Sequence, residues 1–217
     1  MNMTKRKINN HLALAVLACL SEHPMHPYEM ATTMRERGKD QSIKLNYGTL
    51  YTVVEALQQH GFIAAQETER AGRRPERTVY RLTDAGRMEL LDWVSELISR
   101  PVKEYTQFEA GLSLIPVLPP DDAVALLTQR CTHLEMAIVQ GRSLLQHAAQ
   151  HGVQRLNLIE GEYLLSMQEA ELAWTRQFAE AIRLGTLEGV AEWAAFHQSV
   201  AEQESTGSQE QTEQERQ

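Results

Sequence analysis

Five arginines, Arg70, Arg73, Arg74, Arg77 and Arg81, fall within twelve residues around Gly72 and Pro75. Guanidinium groups crowded on a turn can reach phosphate oxygens or enter a minor groove. A charged turn is also how a solvated loop reads, so the neighbouring sequence has to decide. Upstream, Lys44 precedes the run Tyr47-Gly48-Thr49-Leu50-Tyr51-Thr52. Gly48 and Thr49 fall in the first turn of a predicted helix, where backbone N–H groups can hold a phosphate. Tyr47 and Tyr51 lie one turn apart on its flank. Each is either a hydroxyl for a phosphate or a ring packed against the preceding helix. Thr52 and Glu55 share the outer face, where Glu55 would accept from a cytosine amine or repel a polyanion.

Other chemistry is thin. His23 and His26 sit among prolines, and His147 and His151 lie one turn apart with no cysteine or carboxylate nearby. Neither pair is expected to hold a metal. There is no phosphate-binding glycine loop, no Gly-x-Ser-x-Gly elbow and no Cys-x-x-Cys. Glu160, Glu162, Glu169 and Glu171 read as helix-surface charge. The expectation is a non-enzymatic protein without cofactor or metal.

These residues need elements to hold them. Asn9 or Asn10 caps a helix to about Ser21 that is apolar nearly all round, so it is a core helix. A second helix follows from Pro27 to Arg37, and Gly38 suits its end. The third runs from Tyr47 to His60, with Leu50, Val53, Val54 and Leu57 as its buried stripe. Phe62–Thr68 and Arg77–Leu82 are strand candidates joined by the arginine-rich turn. Thr83 caps a fourth helix ending near Ser99. Three helices, a hairpin and a helix make the winged helix-turn-helix plan, placed at residues 1–100.

The second half is built differently. After an irregular stretch with a short helix near Gln107–Leu114, a long helix starts at Pro119-Pro120-Asp121-Asp122. Leu127, Cys131, Leu134, Ile138, Gly141, Leu145 and Ala148 form a heptad seam along it. Another long helix covers about Leu156–Leu184, with Ile159, Tyr163, Leu164, Met167, Trp174, Phe178 and Ile182 spreading wider than one core face requires. Such a hairpin needs a partner, most simply a second copy. Leu127, Leu134, Ile138, Tyr163, Leu164, Met167, Trp174 and Phe178 are the expected dimerisation residues of a helical domain spanning 101–198. A short last helix is expected through Leu187–His197. The acidic tail, 199–217, has no apolar residue from 203 onward and is expected to be disordered. Trp93 and Phe108 flank the junction of the halves, with Tyr105 and Trp174 as further aromatic candidates for a small effector. Plain packing is the competing reading of each.

Composition sets bounds on all of this. The 217 residues are 42% hydrophobic and 23% charged, which excludes a wholly disordered chain. The net charge of −8 is unevenly spread. Residues 1–100 hold 14 Lys+Arg against 12 Asp+Glu, and residues 101–217 hold 7 against 17. A basic patch on an acidic protein still binds phosphate because salt screens distant charge, so only the first half is a candidate. Cys19 and Cys131 lie inside apolar helical patterns and read as buried free thiols in a reducing compartment. Lys5-Arg6-Lys7 before Leu12–Leu20 and Cys19 also imitates a lipoprotein signal. Leu17 is too large for that cleavage site, and a buried first helix is the expectation.

Asn46 to Tyr51, with Leu57 and His60-Gly61-Phe62-Ile63, resembles the recognition helix of PadR-like transcriptional regulators. Gly72-Arg73-Arg74-Pro75 through Val79-Tyr80-Arg81-Leu82-Thr83-Asp84-Ala85-Gly86 resembles that family's wing and the start of its next helix. The likeness covers about residues 10–100. The second half resembles, more loosely, the longer members with a C-terminal helical domain, including Phe108-Glu109 and Glu162-Tyr163-Leu164. The resemblance implies a mainly α protein with a small β-hairpin wing. It also implies a cytoplasmic homodimeric repressor that binds a pseudo-palindromic operator in double-stranded DNA. Release by a small phenolic or otherwise aromatic molecule, and no membrane association, belong to the same expectation. Pro27 stands where the family often has Gly, and Thr52 where Pro is common. Neither departure removes a candidate DNA contact: Lys44, Tyr47, Gly48, Thr49, Tyr51, Thr52, Arg73, Arg74 and Arg77. A protein-interaction adaptor built on a winged domain is the alternative.

Overall fold

The first helix, α1 (His11–Leu20), begins where Asn10 turns its side-chain oxygen back to accept from the Leu12 N–H at 2.9 Å. That bond satisfies one of the donors a helix start leaves unpaired. Seven of its ten residues are buried, among them Leu12, Val16, Leu17 and Leu20, so α1 is the centre around which the N-terminal elements pack. The structure, a computed structural model, describes residues 6, 8–39, 42–43, 45–66 and 78–214, with side chains to 203. Contacts divide the chain into two units, Met1–Lys103 and Glu104–Gln217.

In the first unit, α2 (Pro27–Glu36) opens on a reciprocal cap. The His26 ring accepts from the Tyr28 N–H, and the Glu29 carboxylate accepts from the His26 N–H. Met30, Ala31 and Met34 turn inward. Helix α3 (Tyr47–Gln59) is capped by Asn46 and buries Leu50, Val53, Val54 and Leu57. Strands β1 (Ile63–Gln66) and β2 (Val79–Leu82) pair antiparallel, Ile63 opposite Leu82 and Gln66 opposite Val79. Met25, between α1 and α2, exchanges two backbone hydrogen bonds with Tyr80 at 3.0 Å each. The base of the hairpin is thereby tied to the helix core, a link that the sequence did not reveal.

Helix α4 (Asp84–Ser99) starts at Thr83, whose hydroxyl accepts from the Gly86 N–H and sits 2.7 Å from the Gly61 carbonyl. Trp93 on α4 is 2% exposed and belongs to the core of this unit. The Arg6 guanidinium lies 5.0 Å over its ring and reaches Glu89, Asp92 and Glu96.

The second unit contains α5 (Gln107–Ser113), α6 (Pro120–Gln150), α7 (Ile159–Arg183) and α8 (Val190–Gln214). Helices α6 and α7 form the hairpin. Leu127, Cys131, Leu134 and Ile138 on α6 bury against Leu172, Ala179 and Ile182 on α7. Ion pairs Glu135–Arg176 and Arg142–Glu169 bridge the two helices beside that seam. Helix α8 anchors through Trp193, whose indole N–H donates to the Leu118 carbonyl at 2.8 Å. It runs to Gln214, well past His197, where the sequence predicted the last helix to end. Glu, Gln and Ala are good helix formers and no proline intervenes, so the backbone can remain helical without burying apolar area. No described helix is long and apolar enough to cross a membrane.

The heptad seam corrects one sequence expectation. Leu127, Leu134 and Ile138, expected at a dimer interface, are already buried by α7 of the same chain. A 3.5-residue apolar repeat requires only some facing helix, and the hairpin supplies it internally.

Candidate nucleic-acid interface

The outer face of α3 is built by the burial of its inner one. With Leu50, Val53, Val54 and Leu57 facing the core, Gly48, Thr49, Tyr51, Thr52, Glu55 and Gln59 are left exposed. The Asn46 side chain accepts from the Gly48 N–H at 2.9 Å, so that donor is occupied by the cap. The Thr52 hydroxyl donates to the Gly48 carbonyl at 3.2 Å, leaving its methyl and oxygen lone pairs outward. The surface is polar and small near the helix start.

Tyr47 behaves as a packed ring. It stacks on Tyr28 of α2, with centroids 6.4 Å apart and planes 13° from parallel. The Arg35 guanidinium lies 4.4 Å from its ring centre and donates to the Tyr47 hydroxyl. Neither Tyr28 nor Arg35 was singled out from the sequence. Their spacing of seven residues, two turns of one helix face, was the available signal. Tyr51 is exposed and stands near Tyr80 and Glu55. Burial first, then the nearby Glu55 and Tyr51, push the Tyr80 hydroxyl above its ordinary pKa.

Lys44 lies outside the described residues, as do Arg70, Arg73, Arg74 and Arg77 of the turn. What the structure fixes are the two ends of that turn, Gln66 and Val79, paired across the hairpin. Arg81 on β2 is exposed.

Charge pairing sharpens the contrast between the units. In the second, Arg130, Arg142, Arg155, Arg176 and Arg183 each bond a glutamate. In the first, Arg35, Arg81 and Arg87 have no carboxylate partner among the described residues. Uncompensated positive charge is what a polyanion selects.

Residues 16–92 match the family described as "Transcriptional regulator PadR-like family". Residues 16–92 form a PadR-like domain. Over most of its length the chain is similar in fold to several solved structures. Bacillus subtilis PadR in complex with operator DNA aligns at a TM-score of 0.61 and 20% identity, over 80% of this chain and 98% of that one. Bacillus subtilis PadR in complex with p-coumaric acid aligns at 0.56 and 18%, over 77% and 93%. A PadR-like transcriptional regulator from Bacillus cereus aligns at 0.53 and 15%, over 80% and 99%. At these identities the likeness is one of fold. No curated protein matches the chain by sequence. Helix α3 and the strands β1 and β2 lie within the matched residues.

The aromatic effector candidates separate. Trp93 is spent in the core of the first unit, 2% exposed and beneath the Arg6 guanidinium. Tyr105 is exposed near the start of the second unit. Phe108 and Trp174 do meet, edge to face at 6.2 Å, and Trp174 stacks on Phe178 at 5.0 Å. The Arg130 guanidinium covers Phe108 at 3.7 Å while bonded to Glu171. A separate open groove of about 540 Å3 runs along α6 past Met136, Val139 and Leu144.

Proposed function

We propose that this protein is a homodimeric DNA-binding transcriptional regulator, acting as a repressor released by a small aromatic effector. The observation that carries this reading is the outer face of α3, small and polar at Gly48, Thr49 and Thr52, held outward by a fully buried opposite face. A helix entering a major groove about 12 Å wide must carry such a face. Lys44, Arg73, Arg74 and Arg77 would neutralise phosphates beside it, while Tyr51 and Thr52 reach toward the groove. Bacillus subtilis PadR in complex with operator DNA supports carrying this mode to the present chain, and its p-coumaric acid complex supports the effector class.

Dimerisation falls to the exposed apolar residues of α7. Tyr163, Leu164, Met167 and Trp174 are each about half exposed or more, and Phe178 continues their stripe. Covering them with a second copy would hold two α3 helices at a fixed separation, as a two-fold operator demands. An effector bound against Phe108 and Trp174 would bias that separation by favouring one domain arrangement.

The test is a mobility shift of the full chain on DNA upstream of its own coding region, with and without p-coumaric acid. The expected result is sharp binding at moderate salt that a phenolic acid weakens. Binding no tighter than to a scrambled duplex overturns the reading. In the same assay, Arg73→Ala with Arg74→Ala flattens the salt dependence. An unchanged slope removes the wing from the interface.

A further inference from the structure

We propose that Arg35, Tyr47 and Tyr28 together form a binding site for one phosphate of the DNA backbone. The site rests on the DNA-binding reading above and adds α2 to the binding surface.

Tyr28 and Arg35 stand two turns apart on one face of α2, about 10.5 Å along its axis. The Tyr47 ring contacts both, 6.4 Å from the Tyr28 ring and 4.4 Å from the guanidinium. An aromatic ring stacked on one neighbour and hydrogen-bonded through its hydroxyl to another has a fixed direction. Its hydroxyl oxygen accepts a hydrogen bond from Arg35, which commits one lone pair and leaves the hydroxyl proton available to donate outward. Only part of the Arg35 donor fork is used by that bond.

The charge makes this arrangement a site and not merely a packing motif. Arg37, two residues on, is neutralised by Glu22. Arg35 instead holds a neutral phenol and a ring face, so its positive charge stays uncompensated among the described residues. Its side chain is exposed, as are Tyr28 and Tyr47. A guanidinium edge and a phenol proton side by side match two oxygens of one phosphodiester. They lie at the entry of α3, so a phosphate held there sets how deeply that helix sits in the groove. A tyrosine hydroxyl alone would bind weakly and swing; the stack and the arginine preorganise it.

The test measures affinity of the full chain for the upstream duplex across a series of salt concentrations. Arg35→Gln is expected to weaken binding about tenfold, equally on specific and scrambled duplexes, and to reduce the log–log salt slope by about one. Tyr47→Phe keeps the stack and the slope but loses part of the affinity. Arg35→Lys keeps the slope and loses affinity, because a point charge cannot hold both the ring and the phosphate. Thermal melts of each variant check that the domain is intact. An Arg35→Gln protein with wild-type affinity and slope overturns the proposal while leaving the regulator reading untouched. Weakened binding with an unchanged slope also overturns it, since Arg35 would then only prop α3. Failure of the unaltered protein to bind either duplex overturns both readings.

Discussion

The carbonyl oxygen of Phe62 occupies the space where a side chain at Gly86 would begin: a β-carbon there would lie 2.0 Å from it. The first turn of α4 is thus pressed onto the residue that leads into β1, and the Thr83 hydroxyl contacts the Phe62 carbonyl as well. Gly86→Ala is expected to lower stability by about 1–3 kcal/mol, because a backbone oxygen cannot step aside as a flexible side chain can. Gly111→Ala in α5, where nothing lies within 4 Å, is expected to be neutral or slightly stabilising. Thermal melts of both decide the matter; equal behaviour would mean that α4 does not press on the hairpin.

Leu134 and Met167 were both expected to serve dimerisation, and the structure separates them. Leu134 is closed inside the hairpin, while Met167 is 51% exposed. Leu134→Ala is expected to cost about 2–5 kcal/mol of stability. On the proposed homodimer, Met167→Glu is expected to leave the melt nearly unchanged and to convert dimer to monomer in sedimentation. A variant at Met167 that stays dimeric would move the interface elsewhere.

Thr175 is fully buried on α7, and its hydroxyl has no hydrogen-bond partner among the described residues. An unsatisfied buried donor costs about 1–3 kcal/mol. Thr175→Val keeps the shape and removes the donor, so it is expected to stabilise by about 1 kcal/mol, or roughly 2–4 °C in Tm. A lowered Tm would mean that the hydroxyl is satisfied.

Burial pushes both thiols, Cys19 and Cys131, above their ordinary pKa. Less thiolate is then present at any pH below that value, and the thiolate is the reactive form. Alkylation at pH 8 is expected to be slow in the folded protein and fast in denaturant, followed by intact mass. Rapid modification of Cys19 without denaturant would show that the first unit opens readily.

Periodicity and capping residues were enough to place most elements. Asn10 and Thr83 cap the helices that their positions announced, while the caps His26 and Asn46 emerged only with the structure, and the Gly and Pro punctuation bounded the hairpin. These are local signals, carried within a few residues of chain, so the sequence contains them whole. The inner face of α3 was legible for the same reason, and with it the residues left facing outward.

Partners distant in sequence were not legible. The seam of α6 looked like a surface for another molecule, because a heptad repeat states that a helix must be covered but not by which one. Trp93 stayed open between an effector contact and plain packing, because nothing local says that Arg6, far up the chain, lies over it. Tyr47 could have been a loose phosphate donor or a packed ring until Tyr28 and Arg35 were brought against it. Which apolar and aromatic groups remain on the surface is settled by packing across the whole unit, and packing exists only once the chain has folded.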